Sequence, residues 1–324
     1  MDLNFSFKMP SENKTTPLNE DNLYDLLIIG AGPAGLTAAV YAMRKGLDVA
    51  LITANIGGQV TNTYSIENYL GYKIVEGTQL ADKFFEQVNQ FPIAFKDNTN
   101  AISIEKHGTH FKVYTDSDES YTSKTLIICA GKTYRKLGVK GESEYTGKGV
   151  AYCTTCDAPL YRDKTVAVVG GGNSAVESAI ELCKITEKVT LLQNLDKLTA
   201  DSVLIEKLSV FDNINIFYNS HIEEILGDDI VRKIIYTESD NKKELYTDGI
   251  FIEIGLIPNT TFLSGITALN NNNEILVDCA CRTSEHGIFA AGDITSVPVK
   301  QIIVAAGEGA KAAVSAFNYL MQKA

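Results

Sequence analysis

The sequence predicts an α/β protein built from two three-layer units, the second inserted into the first. Three observations predict it. Two glycine-rich turns, Gly30-Ala31-Gly32-Pro33-Ala34-Gly35 and Gly170-Gly171-Gly172-Asn173-Ser174-Ala175, stand 140 positions apart. Each follows a short apolar run and opens a stretch of helical period, the grammar of a βαβ unit. A later apolar run, Ile288-Phe289-Ala290-Ala291, ends in Gly292-Asp293 close to the C-terminus, far beyond the second turn. Both units read as Rossmann-like dinucleotide-binding domains.

The elements follow in order. Residues 1–22 are polar and Asn-rich without a helical period, and are expected to form a flexible extension, although Leu3, Phe5 and Phe7 alternate as a short docking strand would. Residues 26–29 are continuously apolar, as in a parallel strand buried on both faces. Residues 34–45 read as the following helix, with Gly46 as its stop, and 49–53 as the next strand. Residues 77–90 carry Leu80, Phe84, Val88 and Phe91 on one helical face, and strands are expected at 101–105, 111–115 and 125–129. The pattern then restarts with a strand at 165–169, a helix at 174–185 and a strand at 189–193. Strands at 214–218, 230–236, 249–254 and 288–291 precede an Ala-rich helix at 302–320. No low-complexity linker separates the halves. The expected division is therefore one domain of 23–133 with 250–324, interrupted by a second of 134–249.

A length of 324 residues suits two domains with real cores. The net charge of -11 argues against nucleic acid and anionic membranes as partners. No apolar run reaches the roughly 18 residues of a membrane span, and the first 21 residues lack a signal-peptide core. A cytoplasmic location is the expectation. Six cysteines in such a chain do not make a disulfide scaffold. Cys129 and Cys183 read as core residues. Cys153-Thr154-Thr155-Cys156 is different, because in a reducing compartment this spacing is redox-active or metal-binding. Zinc needs four ligands, and the Cys279-x-Cys281 spacing is a poor source of two more.

In the first turn, Gly30 allows the tight bend, Gly32 lets the backbone approach a pyrophosphate, and Gly35 lets helix and strand pack closely. Pro33 and Ala34 open the helix whose positive end would face the phosphates. The second strand ends in Thr53-Ala54 rather than the acid that grips an adenosine ribose, so that contact stays unassigned. In the second turn, Gly170, Gly172 and Ala175 repeat the fingerprint, and the ribose-reading position falls at Gln193-Asn194-Leu195-Asp196-Lys197. A 2′-phosphate calls for arginine there, whereas Gln193 suits a free 2′-OH, which favours NADH over NADPH. The dithiol can hold a disulfide, with one thiol to attack a partner disulfide and the other to resolve it. Asp157 follows directly, either as the group that moves the thiol proton or as a helix cap.

Gly30 to Gly35, Gly58-Gln59, Glu67-Asn68-Tyr69, Cys153 to Asp157, Gly170 to Glu177 and Gly292-Asp293 together resemble the low-molecular-weight thioredoxin reductase family, in order, over nearly the whole chain. The C-terminal part is especially similar to the flavoprotein subunit of alkyl hydroperoxide reductase, through Gly249-Ile250-Phe251, residues 254–260, Lys300-Gln301-Ile302-Ile303 and residues 307–311. That subunit carries an N-terminal thioredoxin-like region, in whose place this chain has the 22-residue lead, so a separate acceptor protein is expected. The resemblance implies a homodimer with one FAD per subunit. It places Gly30, Gly32, Gly35, Gln59, Asn68, Asp293 and Gln301 around FAD, in the 23–133 and 250–324 domain. It places Gly170, Gly172, Asn173, Ser174, Ala175 and Glu177 around NAD(P)H, in the domain that carries the Cys pair. It also implies a rotation between the domains, with Cys156 facing the flavin, Cys153 attacking the acceptor and Asp157 supplying the proton. The implied acceptor is a thioredoxin or a glutaredoxin-like protein. Two departures matter. The arginine cluster of NADPH-using members is absent at 193–198, and alkyl hydroperoxide reductase relatives place an acid where Gln193 stands. Rival readings are a dithiol oxidase using FAD and oxygen, a ferredoxin-linked reductase, and a non-catalytic redox sensor. The retained second glycine turn weighs against a ferredoxin donor.

Overall fold

The computed structural model describes residues 15–63, 66–239 and 241–323. The first sheet runs in the order Ala94–Lys96, Val49–Ile56, Leu23–Ala31, Ser120–Ile128, His110–Thr115, Ala101–His107, and Ile288–Ala290 also pairs with Ser120–Ile128. Its first four strands and Ile288–Ala290 are parallel, while the 101–115 hairpin is antiparallel. Alternation along the first strand divides two cores. Leu26 and Ile28 pack with the Pro33–Arg44 and Ile302–Lys323 helices, whereas Leu27 and Ile29 pack with Phe111, Val113, Leu263 and Ile275 on the other face. Burial on both faces is why this strand is apolar at every position from 26 to 29.

The second sheet is wholly parallel, in the order Ile214–Phe217, Lys188–Leu192, Thr165–Val169, Gly249–Ile252, Val150–Ala151. The Asn173–Cys183 helix covers one face through Val176, Ala179 and Leu182. An antiparallel meander, Ser220–Gly227, Val231–Glu238 and Asn241–Tyr246, covers the other through Ile225, Val231, Ile234 and Tyr236. These strands all come between Ser120–Ile128 and Ile288–Ala290 of the first sheet, so the second unit is inserted in the first. The chain crosses between them twice, and the crossings pair antiparallel as Lys132–Tyr134 with Leu256–Pro258.

The helix after the first glycine turn ends at Arg44, and Gly46 follows at φ +80, a left-handed stop that glycine adopts without strain. Residues 15–22, part of the expected extension, are docked. The Thr16 N–H donates to the Ile93 carbonyl at 2.9 Å, the Phe95 N–H donates back at 2.8 Å, and Leu18 packs on the core. The Leu3, Phe5 and Phe7 alternation lies outside the described residues. Among the described residues no helix is long and apolar enough to cross a membrane.

Candidate active site

Both glycine turns end in a helix whose N-terminus has no side-chain cap, the N-cap residues being Gly32 and Gly172. Leu36 and Val176 donate the first helical hydrogen bonds back to those glycines, so the N–H groups of each helix's first turn, where Pro33 has none, lack a helical partner and can face an anion. The glycines differ in what requires them. A Cβ on Gly35 would stand 1.8 Å from the Gly30 carbonyl oxygen, so the helix packs on the strand only with glycine there. A Cβ on Gly32 would meet nothing within 4 Å, and one on Gly172 only Thr199 Oγ1 at 3.9 Å. Nothing inside the protein demands glycine at 32 and 172. The empty space is what a nucleotide pyrophosphate lying against the backbone needs.

A cleft of about 810 Å³ opens over the first turn, a size suited to a large cofactor. Gly30, Gly32, Pro33, Ala34, Gln59, Asp293 and Gln301 line it, and so do Cys153 and Cys156. Gly35 lies beneath, packed on the strand. Asn68 is not among the lining residues but donates to Gln301 Oε1 at 3.1 Å. Gln59 donates to the Lys132 carbonyl. The Gly292 N–H donates to the buried carboxylate of Glu308 at 2.9 Å, which fixes the turn that aims Asp293. Burial raises the Asp293 pKa, with Lys300 and Lys132 pulling it back. Those two lysines share Glu274 Oε1, at 2.5 Å from Lys132 Nζ and 3.3 Å from Lys300 Nζ.

Cys153 and Cys156 form a disulfide with Cα atoms 5.3 Å apart. Cys153 precedes the short Thr154–Asp157 helix, and its carbonyl accepts from the N–H groups of Cys156 and Asp157 at 3.2 and 3.0 Å. Asp157 makes no side-chain cap bond to the turn that follows. Burial instead pushes its pKa up to about 6. Its side chain lines a small cavity of about 70 Å³ together with Cys153, Tyr134, Tyr161 and Gln59. That volume has room for water beside the disulfide. A carboxyl that titrates near neutrality next to a dithiol is suited to moving a thiol proton.

The same burial makes a stability prediction. A carboxyl whose folded pKa lies above its unfolded value stabilises the fold only while protonated, and the contribution is lost as pH rises through about 6. The departure from 3.8 to about 6 corresponds to roughly 3 kcal/mol as an order of magnitude. Asp157→Asn is therefore expected to be more stable than the parent at pH 8, by roughly 1–3 kcal/mol in urea unfolding. The difference should vanish near pH 3.5. Equal stability at pH 8 would contradict the buried ionisation.

The residues of the second turn do not line the cleft. Asn173 exchanges two hydrogen bonds with Asp201, at 2.9 and 2.8 Å. Ser174 and Glu177 are exposed and Ala175 is buried. Gln193 is 3 % exposed. Its Nε2 donates to the Lys197 carbonyl at 3.1 Å and its Oε1 accepts from the Asn194 N–H at 3.0 Å, so the side chain braces the ribose-reading loop. Thr53 is similarly committed, accepting from the Ala31 N–H at 3.0 Å and donating to the Asn55 carbonyl at 2.6 Å. Asn55, Thr99 and Asn100, which line the same end of the cleft, went unread in the sequence, where they carry no motif.

A family model described as pyridine nucleotide-disulphide oxidoreductase matches residues 24–309. The chain belongs to this family. Membership implies binding of a flavin and a pyridine nucleotide. An alkyl hydroperoxide reductase subunit from Staphylococcus epidermidis is 40% identical over 317 residues, covering 97% of this chain and 62% of that relative. The chain thus spans under two thirds of the length of that relative. Among solved structures, thioredoxin reductase from Streptococcus pyogenes MGAS5005 superposes with a TM-score of 0.88 at 39% identity, covering 93% of this chain and 99% of that one. The Lactococcus lactis thioredoxin reductase in its FR conformation is 37% identical, covering 92% of this chain and 99% of that one, with a TM-score of 0.64.

Proposed function

We propose that this pyridine nucleotide-disulphide oxidoreductase is an FAD-dependent protein-disulfide reductase of the thioredoxin reductase kind. It takes electrons from a nicotinamide nucleotide, NADH in preference to NADPH, and delivers them through Cys153–Cys156 to a thioredoxin or glutaredoxin-like protein. The observation that carries this reading is the Cys153–Cys156 disulfide lining the same cleft as the Gly30–Ala34 turn.

Gly32 and the open N–H groups after it would hold the FAD pyrophosphate, with Gln59, Asn68, Asp293 and Gln301 around the rest of the cofactor. Bound there, FAD supplies two-electron exchange between a nicotinamide and a disulfide. Cys156 is the thiol on the flavin side. The Cys153 thiolate then attacks the partner's disulfide, forming a mixed disulfide as one partner thiolate leaves. Asp157, protonated below about pH 6, gives that departing sulfur its proton and recovers one through the adjoining cavity. Cys156 attacks Cys153, re-forming the internal disulfide and releasing the second partner thiol.

Gly170, Gly172, Asn173, Ser174, Ala175 and Glu177 would hold the nicotinamide nucleotide, with Gln193 bracing the ribose loop. These residues do not line the cleft, so the exchange needs the 134–249 domain to turn against the 23–133 and 250–324 domain about the paired crossings. Two solved relatives of nearly equal identity superpose at TM-scores of 0.88 and 0.64, as expected when similar halves are set at different angles. A homodimer in a reducing compartment such as the cytoplasm completes the proposal.

Anaerobic titration with NADH and NADPH in parallel, following the oxidised flavin absorbance, tests it. Bleaching by NADH at concentrations at least about tenfold lower than by NADPH is the expected result, worth about 1.4 kcal/mol of discrimination. Preference for NADPH would overturn the reading of residues 193–197. Bleaching by neither would remove the nicotinamide step.

A further inference from the structure

One ionisable group touches both the dithiol turn and the second nucleotide turn, and the proposed electron path gives it no task. Glu253 follows the Gly249–Ile252 strand, its N–H bonded to the Val169 carbonyl at 2.9 Å. Its own carbonyl oxygen would stand 2.4 Å from a Cβ on Gly170, so its backbone forms the floor of the second glycine turn. Its side chain reaches the other way. Glu253 Oε1 accepts from Thr154 Oγ1 at 3.0 Å and from Ser178 Oγ at 2.9 Å. The Thr154 N–H also donates to this carboxylate. Thr154 is buried between the two cysteines in sequence, and Ser178 lies on the Asn173–Cys183 helix.

We propose that Glu253 is a positioning residue that sets the reducing strength of the Cys153–Cys156 dithiol, by holding a negative charge against Thr154 while Ser178 ties that charge to the nucleotide-binding helix. The inference rests on the reading of this pair as redox-active. The disulfide is uncharged, whereas its reduced form gains stability to the extent that a thiolate forms. A fixed carboxylate beside the turn opposes thiolate formation, so it weakens the reduced form and makes the dithiol a stronger electron donor. Other ionisable groups facing it are Glu181 on the nucleotide helix and Tyr134 from the crossing strand. Glu181 adds negative charge when ionised, and neither is a cation that would neutralise Glu253. Burial raises the Glu253 pKa and the bonds from Ser178 and Thr154 pull it back, while two hydroxyls donating to one of its oxygens suit an acceptor carboxylate.

The test equilibrates the holoprotein at pH 7 with mixtures of dithiothreitol and its oxidised form. One protein disulfide and one dithiothreitol exchange for one protein dithiol and one cyclic disulfide. Alkylation of the Cys153–Cys156 peptide reads the reduced fraction. Glu253→Gln keeps the shape and an acceptor oxygen but removes the charge. It is expected to shift the equilibrium about fivefold toward the dithiol, equivalent to roughly 20 mV, and to speed iodoacetamide alkylation of the reduced protein. Glu253→Ala, which also removes the charge, must shift it the same way and serves if the first variant does not fold. Ser178→Ala, which loosens the clamp but leaves the charge, is expected to move it less than twofold. A charge-removing variant within twofold of the parent overturns the inference, as does an equal shift from Ser178→Ala, which would mean packing alone. This equilibrium needs neither nicotinamide nor a thioredoxin. A protein that turns over no thioredoxin-like acceptor yet shows the shift keeps this inference and loses the proposed function, and normal turnover without the shift does the reverse.

Discussion

Cys153→Ser is expected to lower reduction of a thioredoxin-type disulfide by at least about 10³-fold, because it removes the thiol proposed to form the mixed disulfide. The same variant should still oxidise the nicotinamide with an artificial acceptor such as ferricyanide, within about threefold of the parent, since that path needs only the two cradles. The split between the two assays carries the information. Loss of both would mean that the substitution had damaged the cleft, which Cys153 lines. Retention of both would mean that electrons leave by a route other than the dithiol. The remaining cysteines offer no substitute of equal quality. Burial raises the thiol pKa of Cys183 and Cys281 to about 11 and that of Cys129 further still, so each is a protonated, unreactive thiol at pH 7. Cys279 is exposed, but its neighbour at i+2, Cys281, is buried.

Much of this architecture was legible because local and global patterns agree. The apolar runs at 26–29 and 166–169 are buried on both faces, and both glycine turns follow strands and open helices. The unread parts have physical reasons. The Ser220–Gly227 strand shifts register between Ile222 and Glu224 and again between Leu226 and Gly227, which breaks the alternation that marks a strand. Asn241–Tyr246 is an exposed edge strand with the sequence NKKELY, where charge keeps the edge from pairing further and hides the strand signal. At the site, the glycines and cysteines announce themselves because their residue types are rare at such spacing. The Lys132–Glu274 pair does not, because 142 positions separate its members and only the fold brings them together. Glu253 is hidden for another reason. It is one acid in an otherwise apolar run, and its task depends on Thr154 and Ser178, 99 and 75 positions away.

Valine placed at three glycines of the two turns is expected to give three different proteins. Gly35→Val puts a branched side chain where even a Cβ would stand 1.8 Å from the Gly30 carbonyl and 3.4 Å from Cys129 Cβ. Neither the strand backbone nor the helix can yield without parting, so a loss of at least about 3 kcal/mol is expected, with little folded protein recovered. Gly32 and Gly172 have extended backbones, at φ -76 and -83, that any residue adopts, and a Cβ at either is unobstructed. Both variants should fold within about 1 kcal/mol of the parent apoprotein. Gly32→Val is expected to be folded but colourless, because the new side chain occupies the space of the FAD pyrophosphate. Gly172→Val is expected to be yellow, with nicotinamide affinity lowered at least about 100-fold, since a blocked approach also leaves the helix N–H groups unpaired with phosphate. Purified flavin content and the nicotinamide titration separate the two. Normal flavin in Gly32→Val would mean that its empty space serves something other than the cofactor. Unchanged nicotinamide binding in Gly172→Val would move the donor site away from the second turn, and with it the reason for two turns in one chain.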